Sequence, residues 1–133
     1  MPDNGKAAGL EQIRVKRAHE EPSSSDGYRI LVDRLWPRGL TKDRLHLNMW
    51  AKEIAPSSEL RRWFSHDPDK WREFTKRYFV ELNANPAAVN TLLSCFQKEP
   101  VVTFVFGSKE EKFNNAVALK NYFELPENSS LPQ

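Results

Sequence analysis

The sequence contains a single cysteine, and this scarcity excludes several classes of protein. One thiol, that of Cys95, can form neither an internal disulfide framework nor a cysteine-based zinc site. It lies beside the apolar face of a predicted helix, where a thiol usually fills space in the core. A reducing compartment is the simplest home for such a chain, so a cytoplasmic location is expected.

Long apolar runs and the signatures of well-marked enzymes are missing as well. No stretch approaches the ~20 apolar residues of a membrane span, and the first residues lack the apolar segment of a signal peptide, so no membrane association is expected. The chain has no G-x-G-x-x-G motif, no phosphate-binding loop ending in Gly-Lys-Ser or Gly-Lys-Thr, and no G-x-S-x-G elbow. The three histidines lack the paired spacing of metal ligands. We therefore predict neither a metal nor a cofactor, and the sequence leaves open whether the chain is an enzyme.

The length of the chain and its pattern of apolar residues predict one small domain with four strands. The 133 residues suit a single domain, expected at residues 13–124 between flexible tails at 1–12 and 125–133. Residues 13–16 alternate as an edge strand does, whereas 28–32 and 101–106 are apolar runs typical of buried strands, the first with helices on both sides. Residues 49–54 are a weaker strand candidate. Helical stretches separate these segments, which predicts a layered α/β domain with a mixed or mostly parallel sheet of about four strands flanked by helices.

Capping residues mark the predicted helix starts. Three consecutive helices are expected to begin near Ser57, Asp67 and Asn85, and the last two of these residues are each followed by a proline at the first helical position. A fourth helix is predicted from Ser108, because this serine and a glutamate three residues later match a capping box.

Basic charge is concentrated in residues 29–72. This segment has ten Lys or Arg against six Asp or Glu, whereas residues 86–133 have four against five. It also holds all four tryptophans, of which Trp63 and Trp71 suit helical core positions and Trp36 stands apart. Cationic and aromatic side chains together can hold a phosphate and stack a flat ring.

Two segments follow the carboxyl ends of buried strands, where open α/β sheets bind ligands. They are residues 33–39, after the strand at 28–32, and residues 107–109, after the strand at 101–106. If the two strands are neighbours, both segments line one crevice. The candidate site residues in it are Asp33, Arg34, Trp36, Arg38, Gly107, Ser108 and Lys109.

This crevice has the chemistry of an anion site. Arg34 or Arg38, with a helix N-terminus after Gly107, can hold a negative charge. Trp36 offers an apolar face and Asp33 a proton acceptor, which makes Asp33 a tentative catalytic residue. The sequence therefore predicts a small phosphate- or carboxylate-bearing ligand, nucleotides included, and leaves hydrolase or transferase activity open.

Two other interpretations stay open. Asp33 and Arg34 can form structural ion pairs that order their loop, while Gly107 and Ser108 can serve only packing and helix capping. Alternatively, the basic segment 29–72 forms a non-catalytic nucleic-acid-binding module whose isolated tryptophan stacks on an unpaired base. The sequence does not indicate an oligomeric state.

Residues 27–39, with the sequence GYRILVDRLWPRG, resemble the signature of the YeaO-like proteins, a bacterial family catalogued as a domain of unknown function. The resemblance covers about residues 13–124. Further stretches that agree in order and spacing are residues 50–57, 60–61, 64, 66–68, 74, 77–78 and 81–82.

The resemblance implies a cytoplasmic, single-domain α/β protein and adds site positions. The motif positions that it marks in this chain are Asp33, Arg34, Trp36, Pro37, Arg38, Lys52, Ser57 and Arg61. Relatives often have a tyrosine, an alanine and a histidine where this chain has Phe106, Ser108 and Asn115. A tyrosine hydroxyl and an imidazole are therefore missing here as proton donors.

Overall fold

The structure, a computed structural model, describes residues 9–129, in which four strands form one sheet. The strands are β1 (Gln12–Arg17), β2 (Tyr28–Leu31), β3 (Met49–Trp50) and β4 (Val101–Phe106). Their order across the sheet is β1-β4-β2-β3, and every neighbouring pair is parallel. The predicted fold class, a small α/β domain with a mostly parallel sheet, is confirmed.

Within residues 9–129, five α-helices connect and cover these strands: α1 (Lys42–Leu45), α2 (Ser58–Phe64), α3 (Trp71–Asn83), α4 (Pro86–Phe96) and α5 (Asn115–Glu124). The predicted starts of the middle three helices hold, although the Asn85 side chain makes no capping hydrogen bond. The Ser57 Oγ accepts the Leu60 N–H at 3.1 Å, Asp67 caps a 3₁₀ turn that leads into α3, and Pro86 opens α4. The apolar faces of α2 to α5 share one large core with the sheet.

Both faces of the inner strands β2 and β4 are buried, but by different kinds of structure. Because side chains alternate along a strand, Ile30 and Phe104 face the large core, whereas Leu31 and Val105 face a smaller apolar cluster. Leu45 of the four-residue α1 and several loop residues close this smaller cluster. The sequence predicts helices on both sides of β2. On the second side, which faces the smaller apolar cluster, the short helix α1 covers β2 together with loop residues.

A buried ion cluster holds the second side of the sheet together. The carboxylate of Asp26 is fully buried and accepts hydrogen bonds from Lys16 Nζ at 3.1 Å and from Arg29 Nη1 at 2.7 Å. Burial by itself raises the pKa of Asp26, but the Ser23 N–H and these two cations outweigh it and hold the pKa below its ordinary value. Arg29 also donates to the Leu45 carbonyl, which ties β2 to α1.

The strand predicted at 49–54 is shorter in the structure. The Ala51 N–H still donates to the Leu31 carbonyl at 2.9 Å, but the Ile54 N–H bonds back to the Ala51 carbonyl at 3.1 Å. The chain therefore coils into a 3₁₀ turn at Lys52–Ile54, and the strand ends at Trp50.

The helix predicted from Ser108 begins instead at Asn115, so this prediction is wrong. The Ser108 Oγ accepts the Glu110 N–H at 2.9 Å, and the Glu110 carboxylate accepts the N–H groups two and three residues further on. These bonds close turns rather than a first helical turn, and Asn114 caps α5. The expected helix N-terminus is consequently not at Gly107.

The ordered elements extend slightly beyond residues 13–124. Gln12 belongs to β1, and a 3₁₀ turn at Pro126–Asn128 follows α5, where Asn128 Nδ2 donates to the Tyr122 carbonyl at 3.1 Å. Of the tails predicted at 1–12 and 125–133, residues 1–8 and 130–133 lie outside the described residues. None of the helices within the described range is long and apolar enough to span a membrane.

Candidate functional site

The two segments predicted to line a crevice meet at one end of the sheet. Strands β2 and β4 are adjacent and parallel, with Leu31 opposite Val105, so the chain leaves both strands at the same edge. The Asp33 carboxylate accepts the Gly107 N–H at 2.8 Å and joins the two segments directly. The segments are thus neighbours, as the sequence predicts.

A cavity of about 230 Å³ opens beside this contact. Loops and helix ends at the sheet edge contribute most of its polar side chains, and helices α2 and α3 contribute its aromatic ones. The polar lining side chains include Asp33, Arg34, Arg61, His66, Ser108 and Asn115. The apolar lining includes Leu35, Phe64 and Phe74.

Arg34 presents a guanidinium group with unused donors at this cavity. The residue is half-buried, its Nη2 makes a long hydrogen bond of 3.4 Å to the Ala55 carbonyl, and its Nε is buried without a partner. No carboxylate in the described part of the chain forms a salt bridge with it. The interpretation of Arg34 as a structural ion pair therefore has no support among the described residues. Its buried Nε–H lowers the stability of the fold, because it has no acceptor.

Arg61 and His66 also line this cavity. Arg61 is exposed on α2, and its positive charge partly opposes the rise that burial causes in the pKa of the Asp33 carboxyl. Ser65 and His66, which follow α2, both adopt left-handed backbone angles with φ of 46° and 58°. This turn carries the His66 ring to 6.3 Å from the ring of Phe64.

Asp33 is the one carboxylate among the lining side chains of this cavity. Burial raises its pKa above the ordinary value, and the Gly107 N–H, the Asn115 side chain and the charge of Arg61 offset this rise only in part. Asp33 thus binds a proton more readily than an exposed aspartate does. Within residues 9–129, no three His, Cys, Asp or Glu side chains gather into a group that could hold a metal ion.

Ser108 and Asn115 add uncharged donors. Asn115 Nδ2 donates to the Val32 carbonyl at 3.0 Å, which fixes the start of α5 against the end of β2. The Ser108 hydroxyl oxygen accepts from the Glu110 N–H, which leaves its hydrogen free to donate.

Trp36 and Arg38, by contrast, are not brought to the cavity. The Trp36 ring lies edge-on to Trp50, with ring centres 5.3 Å apart, in the smaller apolar cluster, and its N–H donates to the Leu40 carbonyl. Arg38 is exposed, and its backbone carbonyl lies 3.2 Å from His19 Nε2. Trp36 is therefore a packing residue on the second side of the sheet, and Arg38 lies outside the cavity lining.

Three other predicted site residues also lie outside the cavity. Lys52 is exposed, with its ammonium 4.2 Å from the centre of the Trp50 ring. The Ser57 hydroxyl caps α2 and donates to the Glu81 carboxylate at 2.6 Å. Lys109 is exposed beside an open groove next to the cavity. Of the predicted residues, the structure brings together Asp33, Arg34, Arg61, Gly107 and Ser108.

Eight of the twelve lining residues had no predicted site role, and they include Phe64, Phe74, His66 and Asn115. Phe64 and Phe74 are core residues as predicted, with stacked rings 4.3 Å apart, and they also form a wall of the cavity. His66 lies in one of the stretches that resemble the YeaO-like family, and Asn115 is a position where that resemblance implies a histidine in relatives. The sequence therefore marked His66 and Asn115 as notable positions, but it did not show that both line this cavity.

Uncharacterised bacterial proteins are similar to this chain. YeaO from Escherichia coli K12 is 39% identical over 110 residues, which cover 83% of this chain and 95% of YeaO. Rv3073c from Mycobacterium tuberculosis H37Rv and Mb3100c from Mycobacterium bovis are each 45% identical over 76 residues, which cover 57% of this chain and 64% of each relative. The matched part thus spans less than two thirds of these mycobacterial relatives. No solved structure matches the chain.

A family profile also matches, and it covers nearly all of the described chain. The match extends over residues 12–129, and the profile is described as the inactive DUF488-N3 subclade. Together with the similarity to YeaO, it confirms the resemblance found in the sequence motifs. The chain belongs to the DUF488-N3i family of YeaO-like proteins.

Proposed function

We propose that this chain binds a small anionic ligand in the cavity beside Asp33 and Gly107. Arg34 carries the proposal. This residue lines the cavity, forms no salt bridge among residues 9–129, and keeps a buried Nε–H without an acceptor. An anion in the cavity supplies the acceptors that the chain does not.

The charge of the lining supports the same proposal. Arg34 and Arg61 contribute two positive charges, against one carboxylate, Asp33, whose pKa is raised by burial. In a partly enclosed cavity these charges act through a lower effective dielectric than on an open surface, so they attract an anion more strongly. Ser108 and Asn115 offer further donors beside them.

The proposed function is binding rather than catalysis. The family is described as an inactive subclade. Asp33, the tentative catalytic residue, already accepts the Gly107 N–H with one carboxylate oxygen. We assign Asp33 the role of a positioning residue that holds the two segments of the site together.

The nucleic-acid alternative stays a prediction with weaker support. It requires the ring of Trp36 to stack on a base, but this ring packs against Trp50 and its N–H is bonded to the Leu40 carbonyl. The ring of Trp63 is likewise engaged, because Arg77 lies 4.2 Å from its centre.

The proposal is tested by titrating the ¹⁵N-labelled chain separately with acetate, benzoate and inorganic phosphate. Binding in the cavity is expected to give saturable shifts of the Gly107 and Ser108 amide resonances for at least one of the three anions. Absence of saturable shifts with all three anions overturns the proposal.

Arg61 and Arg62 provide a matched pair of variants, since both are exposed on α2 and only Arg61 lines the cavity. Arg61→Ala is expected to weaken anion binding by about tenfold, because a hydrogen bond to a charged group contributes about 1.5 to 3 kcal/mol and exposure reduces it. Arg62→Ala is expected to leave the affinity unchanged. Equal weakening by the two substitutions contradicts a site in this cavity.

A further inference from the structure

The cavity combines a cationic side with an aromatic side, and this combination restricts the ligand. We infer that the ligand is a small monocarboxylate with a flat apolar body, for which benzoate is the simplest probe. The inference rests on the proposed anion-binding function and narrows it to one chemical class. Three features of the cavity support it: its size, its charge and its apolar wall.

The size of the cavity favours a small anion. Pockets for drug-sized ligands usually measure roughly 300 to 1,000 Å³, whereas this cavity measures about 230 Å³. A dry cavity of roughly 150 Å³ accommodates benzene, with six carbon atoms, so the present volume suits a ligand of about nine non-hydrogen atoms. Benzoate is of this size, and a nucleotide is much larger.

The charge favours a single negative charge on the ligand. Arg34 and Arg61 exceed Asp33 by one positive charge, so a monocarboxylate balances the lining. A phosphate dianion leaves a net negative charge next to the Asp33 carboxylate, which repels it. A planar carboxylate also matches the fork of an arginine guanidinium in a bidentate pair.

The apolar wall favours a hydrocarbon body. Phe64 and Phe74 line the cavity with 4% and 1% of their area exposed, and the part of each ring that a ligand meets carries no hydrogen-bond donor. Leu35 also lines the cavity although its exposed fraction is 61%, one of the largest among the apolar residues in the described part of the chain. A flat apolar ligand covers this surface, whereas phosphate oxygens that face it find no hydrogen-bond donor there.

The test compares the affinities of the full chain for benzoate, acetate and inorganic phosphate at one ionic strength, measured from the Gly107 and Ser108 amide shifts. Benzoate is expected to bind about tenfold or more tightly than acetate, because its ring buries additional apolar surface. It is also expected to bind more tightly than phosphate.

Leu35 and Val80 provide a second matched pair, since both are highly exposed, at 61% and 67%, and only Leu35 lines the cavity. Neither substitution by alanine removes a buried side chain, so both variants are expected to fold. Leu35→Ala is expected to reduce the preference for benzoate over acetate, and Val80→Ala is expected to leave it unchanged.

The outcomes separate the inference from the function on which it rests. Phosphate binding tighter than benzoate, or acetate binding as tightly as benzoate, overturns the inference and leaves the anion site in place. An unchanged benzoate preference in Leu35→Ala also overturns it. If none of the three anions shifts the Gly107 and Ser108 resonances saturably, the proposed function fails together with the inference.

Discussion

The hydrogen bond between Asp33 and Gly107 joins the two segments of the site, and two substitutions measure what it contributes. Asp33→Ala removes the acceptor at 2.8 Å from the Gly107 nitrogen. A hydrogen bond to a charged group contributes about 1.5 to 3 kcal/mol, and we expect the free energy of unfolding to fall by that amount. Asp33→Asn keeps an oxygen acceptor and is expected to retain most of the stability.

The pH dependence of the same comparison has a definite sign. Burial raises the folded-state pKa of Asp33 above its ordinary value of 3.8, so the folded chain binds this proton more tightly than the unfolded chain. The stabilisation that comes from protonating folded Asp33 is therefore complete below 3.8 and is lost as the pH rises through the folded-state pKa, whereas the hydrogen bond from the Gly107 N–H remains. Asp33→Asn does not titrate, so its stability relative to the parent chain is expected to increase across that window.

Urea unfolding of the parent chain and both variants, at a series of pH values from below 3.8 to neutral, measures these differences. The reasoning is refuted if Asp33→Ala is as stable as the parent chain. It is also refuted if the stability of Asp33→Asn relative to the parent chain falls as the pH rises.

Two further predictions concern the fold. Asp26→Asn leaves the buried Arg29, with a side chain 4% exposed, without its carboxylate, and should cost about 3 to 5 kcal/mol in urea unfolding. The folded-state pKa of Asp26 is lowered, so the parent chain should lose stability as the pH falls below 3.8 and through that pKa. Asp26→Asn should not show this loss, because it has no carboxyl group at this position. A stability of the parent chain that does not change in this pH range contradicts the prediction. Gly27→Ala places a Cβ against the Val101 carbonyl oxygen, inside van der Waals contact distance, at a φ of +63°, and a loss of about 3 kcal/mol is expected. Gly39→Ala, with φ of +81° and open space around the Cβ, should cost only about 1 kcal/mol, and equal costs refute the role assigned to the close contact.

The elements that the sequence predicted correctly are those whose signals are local and consistent with burial. The apolar run of β4 is too short for a buried helix, and the caps at Ser57 and Asn85 stand directly before apolar helical stripes. Membership of β2 and β4 in one parallel sheet then followed from the helices between them. The contact between residues 33 and 107 further required the two strands to be neighbours, which the sequence left as a condition and the structure shows.

The failures arise where one local pattern supports two structures. A serine with a glutamate three residues later can start a helix, but Ser108 instead closes a turn with Glu110, whose carboxylate accepts the next N–H groups. Nothing within that stretch distinguishes the two outcomes, because Asn114 offers an equally good cap further on. The choice depends on where α5 packs against the sheet.

Side-chain direction beyond a strand end could not be predicted either. The alternation that assigns Ile30 and Leu31 to opposite faces stops when the chain leaves the ladder, so the sequence could not tell that Arg34 faces the cavity and Trp36 the other side of the sheet. The position of His66 likewise depends on two successive residues with left-handed backbone angles, which no sequence signal marks.

The Nε–H resonance of Arg34 in the ¹⁵N-labelled chain, followed during a benzoate titration, tests the central claim most directly. Its absence from the spectrum of Arg34→Lys identifies the signal. The account predicts a saturable shift and slower hydrogen exchange, because the anion provides the acceptors that this guanidinium lacks, and it predicts weaker benzoate binding in Arg34→Lys. An Arg34 signal that stays in place while benzoate binds elsewhere on the chain, or a titration without any saturable shift, contradicts the account.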